Sequence, residues 1–268
     1  MRRHELATGF GFGEGPRWFE GLLWFSDMLG QAVHTVDLDG GIGTVAVPGH
    51  CPSGLGFRPD GSLLIVSTKA RHLLRYDGES VTTVTDLNGL VPADLGDLVI
   101  DAAGRAYVSS QAHEQGVIVR VDPDGSARVV ADDLEFPNGM VITGDGRFIV
   151  AESVGRRLTA FTIEPGGALS GRRVFADHLD GPPDGLALDA EGAVWAAMTQ
   201  AHQFERFADD GTGGAELTHR IDIGERMAIA CAVGGPDGRT LFLITAADCY
   251  PARMTDTRDS SVEMVTHG

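Results

Sequence analysis

A glycine-centred turn recurs six times along this 268-residue chain, and its spacing constrains the fold more than any other feature. The turn glycines are Gly21, Gly61, Gly104, Gly146, Gly192 and Gly238, at intervals of 40, 43, 42, 46 and 46 residues. Each is followed by a short apolar strand, such as Leu63-Leu64-Ile65-Val66 or Phe148-Ile149-Val150. A glycine supplies the positive φ that a tight hairpin needs, so every repeat opens with two antiparallel strands. In the second repeat four strands can be read: 55–57, 63–66, 73–76 and 81–84. Repeats of this length with four strands each build the blades of a β-propeller, and six of them predict six blades.

Composition agrees. Hydrophobic residues make up 43% of the chain beside 37 glycines, and no apolar face recurs with helical period, so the fold class is all-β. No linker or shift in composition divides residues 1–268, which read as a single propeller domain. An open seam would expose strand edges, so the segment 4–8 is expected to pair beside 262–266 and close the sixth blade. The inner strands are expected to begin near residues 15, 54, 98, 139, 185 and 231. Trp18, Trp24 and Trp195 fall in strand register and read as packing between blades.

The repeat also converts register into a site. Inner strands line the central channel, so positions eight residues before a turn glycine (seven in the first repeat) converge on it. Around the ring these are Glu14, Ser53, Gly96, Asn138, Asp184 and Ala230. Two carboxylates and one carboxamide thus face a common axis, with no Lys or Arg at these positions. Like charges repel and burial disfavours both, and a bound cation is the simplest resolution. All-oxygen donors select a hard ion: Ca²⁺ is favoured, with Mg²⁺, Mn²⁺ or Zn²⁺ as alternatives.

Four segments carry a family resemblance: Gly13-Glu14-Gly15-Pro16-Arg17-Trp18, Asp97 to Asp101 followed by Gly104-Arg105, Phe136-Pro137-Asn138-Gly139 and Pro183-Asp184-Gly185-Leu186. With them the chain resembles the SMP-30/gluconolactonase/regucalcin family, which includes luciferin-regenerating enzymes. The resemblance implies a six-bladed propeller holding one divalent metal in its channel and, in many members, hydrolysis of lactones. It also implies that Glu14, Asn138 and Asp184 are the metal ligands and that Asp184 is the catalytic general base. The family pattern before the third inner strand reads Asn-Asp, whereas this chain has Gly96-Asp97. Water or Asp94 is then left to fill the vacancy, and Asp97 reads as a structural cap.

Ser53 on the ring, with Asp94, Glu152 and His113 on loops at the same end, are the candidate substrate-binding residues. Arg17 is expected either to orient a carboxylate or to lie at the surface, and the loop 248–260 to be a lid or a plain connection. No Gly-x-Ser-x-Gly elbow supports a covalent nucleophile. Two function classes follow: a metal-dependent lactone hydrolase, or a metal-binding propeller without that chemistry. A non-hydrolytic reaction on a natural-product scaffold is a narrower third. The partner is a small molecule. With 21 basic against 38 acidic residues, a net charge of −17 argues against nucleic acid and anionic membranes. Cys51, Cys231 and Cys249 have no metal-binding spacing and no secretory segment precedes them, so reduced thiols in the cytoplasm are expected.

Overall fold

The computed structural model describes residues 2–266, and its secondary structure is strands joined by turns, with two short 3₁₀ segments at Thr199–Ala201 and Pro251–Arg253. The strands form six four-stranded antiparallel sheets, the six blades. Blade 1 comprises Gly13–Phe19, Leu22–Asp27, Ala32–Val36 and Ile42–Ala46, and blades 2 to 5 repeat that order. Blade 6 takes Met227–Gly234, Thr240–Ala246 and Ser260–Thr266 from the end of the chain and Arg2–Phe10 from its start. His4 pairs with Met264 and Thr8 with Ser261, so the two ends of the chain close the ring as expected. No helix among the described residues is long and apolar enough to cross a membrane.

The repeat glycines owe their place to backbone conformation. All six have φ between 68° and 82°, which L side chains rarely adopt. Between the blades lie six apolar clusters, each spanning one blade–blade interface. Leu64 and Val66 of blade 2, for example, join Leu98 and Val108 of blade 3. Tyr107 of blade 3 joins Phe148 of blade 4. The tryptophans pack as the sequence predicts. Trp18 stacks on Phe242 across the closing seam at 5.2 Å, and Gly234 leaves the room it needs.

The inner strands begin at Gly13, Pro52, Leu95, Pro137, Pro183 and Met227, two to four residues earlier than expected. The difference has a cause. Pairing starts upstream of the ring residue, as in Pro137 with Glu152, then skips and resumes at Met140 with Val150. Equivalent irregularities fall between Glu14 and Arg17, Pro52 and Leu55, Leu95 and Leu98, and Pro183 and Leu186. A bulge re-aims the side chains it carries. Four inner strands therefore skip the ring residue itself, and the first breaks just after Glu14, which stays paired with Ser26. In blade 6 the break falls one residue early, and Ala230 is regularly paired with Ile244.

Candidate active site in the channel

The bulges bring Glu14, Ser53, Asn138 and Asp184 together as walls of one cavity of about 370 Å³ at the mouth of the channel. Glycines after the ring residues allow the blades to approach. A Cβ on Gly139 would lie 2.4 Å from the Asp184 carbonyl oxygen, and one on Gly185 would lie 2.6 Å from Ala230 Cα. Gly15 and Gly54 face the backbone of the next inner strand in the same way, at 2.6 Å and 2.5 Å. The ring is thus tight enough to hold four polar side chains around one centre.

The electrostatics follow from that crowding. Burial, then the charges of Asp184 and Asp97, raise the Glu14 carboxyl well above its ordinary range, opposed by the Gly15 N–H and by Arg17. Burial and then Asp97 push Asp184 up to about 8, opposed by the neighbouring Asn138 side chain. Asp184 Oδ1 is buried with no hydrogen-bond partner. An unpartnered buried carboxylate oxygen is costly unless a proton or a cation meets it. Asp97 is also held high by burial, although Arg17 Nη2 donates to its Oδ1 at 3.0 Å and the Leu98 N–H at 2.7 Å. The absence of a cation from the ring positions in sequence therefore misleads, because Arg17 reaches into the channel from the neighbouring register. Asp97 caps a backbone amide as expected and also adds a third negative charge beside the ring.

The other candidates divide. His113 lines the cavity with its ring edge-on to Phe136 at 5.4 Å. Asp94 does not lean into the vacancy at Gly96. It pairs with Lys69 and Arg71 and is not among the residues lining the cavity. Glu152 is fully buried outside the cavity lining, bound by Arg157, Thr159 and the Glu135 N–H. Both loops come to the right end, but charge partners on adjacent strands draw the carboxylates aside. Gln111, Ser153, Cys249 and Tyr250, on loops that return to this end of the channel, line the cavity together with Pro251. The loop after Asp248 lies over the mouth, anchored by Met254, which is 1% exposed in the apolar cluster of blades 6 and 1.

A model of the SMP-30/gluconolactonase/LRE-like region matches residues 12–247. The chain belongs to this family. Among curated relatives, the pentonolactonase XacC of Haloferax volcanii is 30% identical over 249 residues, covering 90% of this chain and 84% of that protein. The 6-deoxy-6-sulfogluconolactonase of Pseudomonas putida is 25% identical, covering 88% and 84%. Among solved structures, a calcium-binding regucalcin from Agrobacterium tumefaciens superimposes with a TM-score of 0.79 at 22% identity, covering 96% of this chain and 90% of that one. At that identity the likeness speaks for the fold.

For a divalent cation, the donor set fits on chemistry: two carboxylates and a carboxamide, all oxygen, with one carboxylate oxygen unpartnered. Among the described residues no cluster of three or more His, Cys, Asp or Glu stands ready for a metal. A cation here would rest on Glu14, Asp184 and the neutral Asn138.

Proposed function

We propose that the protein is a lactonase that works in this channel, with Asp184 as general base and a divalent cation, Ca²⁺ in preference to Mg²⁺, Mn²⁺ or Zn²⁺, held by Glu14, Asn138 and Asp184. One observation carries the reading: the buried, unpartnered Oδ1 of Asp184 in a cavity large enough for a small molecule. Family membership and the lactonase names of curated relatives support the reaction class. The calcium-binding relative supports the ion.

When bound, the cation supplies Lewis acidity to the lactone carbonyl. The chain does the rest. Asp184 takes a proton from water as its oxygen bonds to the acyl carbon, and returns the proton to the alkoxide when the ring C–O bond breaks, giving a hydroxy acid. The raised value of Asp184 belongs to the cation-free ring; a cation beside the carboxylate would favour its charged form, the form that takes a proton from water. Phe12, Met28 and Phe136 give the cavity apolar walls that thin out water and strengthen interactions with the polar ring. Ser53 and His113 offer hydrogen bonds to the substrate. Three unpaired cysteines fit a reducing cytoplasm.

The test is a lactone panel assayed by proton release with and without added Ca²⁺, repeated on Asp184→Asn at saturating cation. A general base contributes about 10²–10⁴-fold, and turnover should fall by that factor with the cation still bound. Near-normal turnover in that variant removes Asp184 as base. No hydrolysis by the parent of any lactone favours the binding propeller.

A further inference from the structure

In the ring register, the third repeat presents Gly96 where the first, second, fourth and fifth present side chains. The space is filled from elsewhere. A Cβ built on Gly96 would meet Gln111 Nε2 at 2.5 Å, Cδ at 2.7 Å and Cγ at 2.9 Å, and all three nearest atoms belong to that one side chain. Gly96 does not have a positive φ, so its backbone tolerates a side chain, and the Gln111 side chain is what stands nearest in its way. Gln111 follows the second strand of the blade, Ala106–Ser110, and its N–H donates to the Asp94 carbonyl at 2.8 Å. From that fixed root its Nε2 donates to Asn138 Oδ1 at 3.0 Å. Asn138 Nδ2 in turn faces Ser153 Oγ at 3.4 Å, and Ser153 Oγ donates to the Pro183 carbonyl at 2.6 Å.

Resting on the lactonase reading above, we infer that Gln111 is blade 3's contribution to the ring, a positioning residue that orients the Asn138 carboxamide for the cation and substrate. A carboxamide suits this task for a chemical reason. Turning it over exchanges donor and acceptor, so Gln111 can donate to Asn138 Oδ1 or accept from Asn138 Nδ2. Asn138 can therefore offer either its nitrogen to Asp184 or its oxygen to a cation while staying partnered by Gln111. A thioether or carboxylate at 111 has no such pair of states. The hydrogen bond spans 27 residues of sequence and is partly buried, where an orphaned amide is costly.

The experiment moves the carboxamide back to the inner strand. Gln111→Met keeps the volume and removes the hydrogen bond; Gly96→Asn adds a side chain into occupied space; Gly96→Asn with Gln111→Ala exchanges one carboxamide for another. Ca²⁺ affinity is read by calorimetry and the fold by melting of the metal-free protein. Gln111→Met should melt within about 2 °C of the parent yet bind Ca²⁺ about five-fold more weakly, the worth of one hydrogen bond. Its KM should rise while kcat at saturating Ca²⁺ stays within about two-fold, a split that mere loss of packing does not produce. Gly96→Asn alone should lower the melting temperature by about 5 °C, the overpacking cost for a chain of this size. The exchanged pair should recover both melting temperature and Ca²⁺ affinity, because the two positions are coupled through one space.

Unchanged affinity and KM in Gln111→Met overturn the inference, and so does Gly96→Asn being equally harmful with Gln111 present or removed. Glu14→Gln separates the two readings. If it weakens Ca²⁺ binding and Gln111→Met does not, the cation site stands and Gln111 is no part of it. If the parent binds no Ca²⁺, the lactonase reading loses its cation, and the melting cycle at 96 and 111 alone decides who fills the slot.

Discussion

Arg17 reaches from the first blade to the third, donating from Nη2 to Asp97 Oδ1 at 3.0 Å and to the Leu98 carbonyl at 2.6 Å. It is the nearest compensation for three carboxylates gathered in one channel. Arg17→Met should destabilise the metal-free protein by about 3 kcal/mol, because breaking a largely buried pair leaves Asp97 uncompensated. The loss should be smaller at low pH than at pH 8, since burial raises the Asp97 carboxyl and a protonated Asp97 needs no partner. Urea unfolding at the two pH values checks both statements, and an equal loss at each would sink the electrostatic account.

Melting of the chelated protein should fall as pH rises from about 5 to about 9. The sign follows from the direction of the shifts. Asp184, pushed up to about 8, and Glu14, raised beside it, bind protons more tightly folded than unfolded. That stability is complete below the ordinary carboxylate range and is lost as pH climbs through the folded value. Asp27 works in the opposite sense. The N–H groups of Gly11, Phe12 and Gly30 and the His34 side chain hold it well below its ordinary value, so its contribution is lost only in acid. Asp184→Asn should therefore flatten the slope between pH 5 and 9 and leave the acid limb intact. A parent slope that rises with pH in this window would contradict the crowding.

Glu14→Gln keeps the shape of the ring and removes one of the two charges facing the centre. Ca²⁺ affinity by calorimetry should drop by about ten-fold or more, while Ser53→Ala, uncharged on the same ring, should change it far less. Equal affinities for parent and Glu14→Gln would exclude Glu14 as a ligand.

Gly139→Ala and Gly144→Ala form a matched pair. The first puts a methyl 2.4 Å from the Asp184 carbonyl oxygen and 2.6 Å from the Leu186 nitrogen, both backbone atoms that cannot swing aside. It should cost about 1–3 kcal/mol or more and loosen the ring around Asp184. Gly144 has open space and no positive φ, so its alanine should be neutral or stabilise by about 0.5 kcal/mol through the unfolded chain. Thermal unfolding of the two variants, with Ca²⁺ binding by the first, decides it; similar stability in both would show that the blades give way.

The sequence by itself determined the blades, because their information is local. A positive-φ glycine between two apolar runs makes a hairpin wherever it stands, and six such turns at one period leave little choice of architecture. The same period placed Glu14, Asn138 and Asp184 at equivalent ends of their inner strands, since register is inherited by every repeat. What only the tertiary structure decided are pairings between residues far apart in sequence. Arg17 and Asp97 are separated by 80 positions, and Gln111 and Asn138 by 27. Neither partner carries a local signature. The early start of the inner strands is not legible in sequence because Pro137 and Pro183 lack an N–H for the ladder and yet already pair with Glu152 and Met198. Asp94 and Glu152 came to the right end of the channel in sequence, but Lys69 and Arg71 claimed one and Arg157 the other. A charged side chain goes to the partner that best offsets its desolvation, and that partner is set by three-dimensional neighbours.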